Sequence, residues 1–198
     1  MSKETTLRLA RVLRVLVTIT FVCNLLVLPL VPVLVSMVGS GVELPRLLEL
    51  LGSPPPAPGE DWLWFSPGMT MFLVLWGAWS EQFAYCLVLT LFLLFCGVCT
   101  AVILWQARRV LATVLAGNTF TRANAANMGR AAVCCLLISG AALARTVWGL
   151  CYYRSPAPLL TYNALFVPIF LMGGLVCLVL SALVGQAAQL QEENDLTI

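Results

Sequence analysis

The chain has 198 residues, of which 61% are hydrophobic and 10% charged, with a net charge of +2. A soluble domain carries about a quarter charged residues, so the solvent of this chain must be largely lipid. The small net charge excludes a basic footprint spread over the surface, and with it direct nucleic-acid binding. The absence of histidine excludes histidine catalysis, histidine metal ligation and histidine pH switching.

Four segments meet the requirement of about 20 mainly apolar residues for a spanning helix. They are 15–38, 83–105, 131–152 and 159–185. Short alternating segments of the kind that build membrane strands are absent from the sequence. The sequence therefore predicts an all-α polytopic membrane protein, a four-helix transmembrane bundle forming one membrane domain over 1–198. The first span follows Lys3, Arg8, Arg11 and Arg14 and is too long for a signal-peptide core, so it is expected to stay uncleaved. Pro29 and Pro32 each remove a backbone donor and should kink it.

Residues 39–82 form an expected outer loop. It holds a stiff "SPPPAPG" at 53–59 and a tryptophan-rich stretch at 62–79, expected at the membrane interface. Its charges are mainly acidic: Glu43, Glu49, Glu60, Asp61 and Glu81 against Arg46. The expected inner loop, 106–130, carries Arg108, Arg109, Arg122 and Arg130. With the basic N-terminal segment, this asymmetry puts both termini and the inner loop in the cytoplasm, the orientation of a multi-pass protein of a bacterial plasma membrane.

All eight cysteines lie in apolar runs, which argues against an extracellular disulfide framework. "CGVC", Cys96 to Cys99, and the pair Cys134–Cys135 fall at similar depth on neighbouring spans. Four thiols there could bind zinc or cycle as disulfides. No basic neighbour at that depth activates them, so they read as small apolar residues. Neither a catalytic residue, a metal ligand nor a cofactor is assigned; a membrane thiol-redox enzyme remains an alternative.

Arg145 lies inside the third span, where a charge is costly and marks a candidate site. Glu81, Tyr162 and Asn163 are its expected partners in binding a ligand. Gly140 and Ala144 offer a small-xxx-small step for helix contact. Pro168 and Gly173–Gly174 in the fourth span suggest a kink or close packing. No acidic residue lies within a span, which disfavours proton-coupled transport.

"GNTFTRANAANMGR", 117–130, should form a helical hairpin. Gly117 ends one helix in the left-handed conformation, Thr121 caps the next, and Phe120 is placed to staple onto it. Asn124 and Asn127 share a face with no structural duty apparent from sequence. The tail, 186–198, ends in the acidic "LQEENDLTI".

The loop pattern "LAGNTFTRANAANMGR" and that acidic end resemble a bacterial four-helix family of unknown function. Its members carry a Gly-Asn/Glu-x-Phe-Thr-x-x-Asn signature and an Asp-Leu-Thr-Ile/Val terminus. The resemblance implies a helix-turn-helix regulator of the Cro/C1 type as a neighbour and partner. The expected function is a non-enzymatic membrane sensor or anchor. Its candidate contacts with the regulator are Phe120, Asn124, Asn127, Glu192, Glu193, Asp195, Leu196 and Ile198. The alternative is a small-molecule binding, export or immunity module. Membrane lipid is the other expected partner, and a homo-oligomer is compatible with the sequence.

Overall fold

The structure, a computed structural model, describes residues 3–40, 76 and 83–195. Among the described residues 93% are helical and none is in a strand. In chain order the helices are α1 (Lys3–Val27), α2 (Val31–Ser40), α3 (Phe83–Leu115), α4 (Arg122–Tyr153) and α5 (Tyr162–Asp195). Short 3₁₀ turns cover Leu28–Leu30 and Ala157–Leu160. Among the described residues four stretches are long and apolar enough to cross a membrane: Arg8–Val38, Phe83–Leu115, Arg122–Tyr153 and Tyr162–Asn194. The first of them passes through the 3₁₀ turn at Leu28–Leu30, where Pro29 lacks the donor that a regular helix needs.

The helices overrun the spans expected from hydropathy. α3 continues beyond Trp105 to Leu115, α4 begins at Arg122, and α5 carries the tail in helical form to Asp195. The flanks are rich in Ala, Leu, Gln and Arg, which favour helix, and hold no proline. Only six residues, 116–121, separate α3 from α4.

The chain divides into two units, residues 29–94 and the remainder. In the smaller unit Val31 and Val35 of α2 and Cys86 of α3 are buried together, with Tyr85, Leu89 and Leu94 packed around them.

In the larger unit α4 and α5 form an antiparallel pair in close contact. α4 buries Ala132, Cys135, Ser139, Ala142, Thr146 and Gly149. These residues recur at intervals of three and four, so they line one face of the helix. They are small, which lets two backbones approach without a hydrophobic driving force. The receiving position on α5 is Gly174. A Cβ there would lie 3.0 Å from Leu136 and 3.3 Å from the Ala132 carbonyl. The Ser139 hydroxyl donates across the seam to the Val167 carbonyl at 2.9 Å, just before Pro168. The Ser181 hydroxyl donates to the Ala125 carbonyl at 2.7 Å.

The step expected at Gly140 and Ala144 is not used for this contact. Both residues are exposed, and nothing approaches a Cβ built on Gly140 within 4 Å. The spacing was legible in the sequence, but the face was one position off. Gly173 is likewise open, whereas Gly174 is tight. The outward face of α5 exposes Leu165, Ile169, Met172, Val176, Val179 and Leu183. A helix that is apolar all round and still exposed requires lipid as its surroundings.

Candidate functional site

The turn between α3 and α4 is built from its sequence with little freedom left. Gly117 has φ +85°. Its N–H donates to the Val114 carbonyl at 3.1 Å, and the Asn118 N–H to the Thr113 carbonyl at 3.0 Å. That pair of bonds is a Schellman closure, which satisfies carbonyls left over at the end of α3. Thr121, in extended conformation, then caps α4 by accepting from the Asn124 N–H at 3.2 Å.

Asn124 ties these parts together. It is 1% exposed. Its Oδ1 lies 2.8 Å from the Thr113 hydroxyl of α3, which is also 2.7 Å from the Val110 carbonyl. Its amide nitrogen donates to the Thr119 carbonyl at 2.9 Å and more weakly to that of Asn118 at 3.4 Å. The side chain therefore spans α3, the turn and α4. Its hydrogen-bonding capacity is spent inside the chain, which removes it from any outward contact. Asn127, one turn on, is also buried. Phe120 is the contrasting residue: it stands 52% exposed at the tip of this fixed turn, outside any staple that would hide it.

Beside the turn, Arg122 forms a two-pronged pair with Glu192 of α5. Nε and Nη2 donate to the two carboxylate oxygens at 3.1 and 2.7 Å. Both side chains are exposed. The pair fastens the end of α5 to the start of α4, so Glu192 faces its own chain. Glu193 is exposed next to it. Asp195 ends α5; its side chain, Leu196 and Ile198 lie outside the described residues.

At the far end of the α4–α5 pair, Arg145 Nη1 donates to Asn163 Oδ1 at 3.0 Å. This joins two of the residues expected to act together. Tyr162 is 84% exposed, away from that contact. Glu81 lies outside the described residues, as does the tryptophan-rich stretch 62–79 apart from Trp76. At this end of α4 Trp148 stacks on Tyr152, and Tyr152 meets Tyr153 edge-on, with ring centroids 4.9 and 5.1 Å apart. Tryptophan and tyrosine are the residue types enriched at membrane interfaces.

All eight cysteines carry free thiols. Cys99 of α3 and Cys134 of α4 are near enough to influence each other electrostatically. Among the described residues no group of three or more Cys, Asp or Glu side chains is arranged to hold a metal ion.

A further cluster has no counterpart among the expected sites. Phe21 of α1 and Trp105 of α3 lie with ring centroids 5.8 Å apart. The Arg108 guanidinium sits 5.3 Å from the Phe21 ring and 5.7 Å from the Trp105 ring, and Arg109 sits 5.8 Å from Trp105. Its sequence signal was Trp105 and Gln106 beside the Arg108–Arg109 pair.

A family model described as "Protein of unknown function (DUF2975)" matches residues 56–198. The chain belongs to that family. The DUF2975 region takes in the whole of α3, α4 and α5, with the turn and the Arg122–Glu192 pair. It excludes α1 and α2. No curated protein and no solved structure matches the chain.

Proposed function

We propose that this protein is a non-enzymatic anchor in the bacterial plasma membrane that holds a cytoplasmic helix-turn-helix regulator. Both termini and the 116–121 turn face the cytoplasm in this proposal, because eight of the eleven basic residues flank that side. The observation that carries it is Phe120. A turn fixed by a Schellman closure, a threonine cap and a buried asparagine presents a half-exposed phenylalanine at its tip. A rigid aromatic that needs no ordering on contact is a favourable anchor for a protein partner. The Arg122–Glu192 pair beside it keeps the end of α5 out of the way and sets the rim of the surface.

The test is the distribution of a helix-turn-helix protein encoded beside this chain, measured in membrane and soluble fractions of the native host. The regulator is expected in the membrane fraction with the wild-type chain and in the soluble fraction with Phe120→Ser. Equal distribution with and without the chain would refute the anchor role. A cysteine placed at Thr119 should resist an impermeant maleimide on intact cells, and labelling there would overturn the orientation.

A further inference from the structure

Between α1 and α3 lies a groove of about 390 Å³ lined by Phe21, Leu25, Leu28, Val98, Ala101, Val102, Trp105 and Gln106. That volume is in the range of small-ligand sites. The groove has direction. At one end Leu28 closes on Gly97, where a Cβ would come within 3.0 Å of the leucine side chain. At the other end Phe21 and Trp105 form the mouth, with the Arg108 guanidinium over both rings and Arg109 over Trp105. The stretch from Val98 to Trp105 is about 11 Å of helix. An apolar slot closed at one end and cationic at the other suits an alkyl chain with an anionic head.

Gln106 adds an independent requirement. It lines the groove, is 7% exposed, and its Oε1 has no hydrogen-bond partner among the described residues. A buried carbonyl left without a donor is costly, so the site is incomplete without a ligand that supplies one. No carboxylate pairs with Arg108 or Arg109 among the described residues. Guanidinium groups fit phosphate oxygens in the plane of the fork.

We infer that the groove between α1 and α3 is a specific site for an anionic glycerophospholipid with a hydroxylated headgroup, such as phosphatidylglycerol. One acyl chain fills the slot from Trp105 toward Leu28. The phosphate rests on Arg108 and Arg109. A headgroup hydroxyl donates to Gln106 Oε1. A fatty acid carboxylate would satisfy the arginines but offers no donor to Gln106. The inference needs membrane insertion but does not rest on the regulator-binding proposal, and its test contains no regulator.

The test uses the full chain in nanodiscs of phosphatidylcholine in which a minor fraction of lipid carries brominated acyl chains. Trp105 quenching is read as the difference between wild type and Trp105→Phe. Brominated phosphatidylglycerol is expected to quench Trp105 at a concentration at least about fivefold below that of brominated phosphatidylcholine, as one arginine near a lipid surface contributes about that factor. Arg108→Gln with Arg109→Gln should bring the ratio to one, and Ala101→Phe, which fills the slot, should remove quenching by both lipids. Gln106→Leu should erase the preference for phosphatidylglycerol over phosphatidylmethanol, an anionic phosphodiester with no hydroxyl to donate. Equal quenching by brominated phosphatidylglycerol and phosphatidylcholine in the wild type would overturn the site, whatever the variants do. Quenching by a brominated fatty acid as strong as that by phosphatidylglycerol would overturn the phospholipid assignment.

Discussion

The α4–α5 seam and the α1–α3 groove are both contacts between long apolar helices, and they are built on opposite rules. The seam is closed. Ala132, Ser139, Ala142 and Gly174 bring the backbones together, and Ser139 and Ser181 donate to carbonyls of the facing helix. The groove is held open by large residues, Phe21, Leu25, Val98 and Trp105, and it leaves Gln106 Oε1 without a donor. In lipid, apolar area gives helices no reason to prefer each other over acyl chains. Close fit and hydrogen bonds decide which faces touch, and a face made of large side chains remains a place for lipid. The difference teaches that the seam is a structural element and the groove a binding element.

The sharpest way to break this contrast is Gly174→Leu. A side chain there meets Leu136 and the Ala132 carbonyl, so the helices must separate. The expected loss is about 3 kcal/mol, read as a lower thermal unfolding midpoint in mild detergent. Gly173→Leu, at the open neighbouring position, should leave the midpoint in place. Equal effects of the two would mean that the seam does not run through Gly174.

A smaller loss is expected for Asn124→Ala. It leaves the Thr119 carbonyl and the Thr113 hydroxyl without that partner and should cost about 2 kcal/mol. Amide hydrogen exchange should accelerate over residues 116–121 while the α4–α5 seam stays protected. Acceleration along the whole of α5 would show that the turn and the seam are one cooperative unit.

Glu192→Gln should have the least effect. The Arg122–Glu192 pair is exposed, so its contribution lies between zero and about 1 kcal/mol and falls as salt is raised. The wild-type midpoint should therefore drop slightly between low and high salt, and that of Glu192→Gln should not. A large salt-independent loss would make the pair part of the seam rather than a surface fastening.

Some of the site was written locally. Gly117, Thr121 and the hairpin between α3 and α4 follow from cap chemistry acting within a few residues, so short-range rules found them. The duty of Asn124 was not legible, because it depends on Thr113, eleven positions earlier, being brought opposite by the turn. The tail shows the same limit. Its acidity was plain, but its continuation as helix and the contact of Glu192 with Arg122, seventy positions away, needed α5 to lie along α4. Arg145 and Asn163 were candidates by type, and the pairing of α4 with α5 selected Asn163 over Tyr162.

The sequence by itself determined the class of this protein. Apolar length sets the number of helices that can cross a membrane, and glycine, proline and threonine punctuate them, because both depend on composition and on neighbours in the chain. Only the tertiary structure decided which face of each helix is buried. Rotation about a helix axis is nearly free of cost in lipid until a specific small residue or a hydroxyl finds its partner. That is why Gly174 rather than Gly140 carries the seam, and why Gln106, unremarked in the sequence, is left facing an open groove.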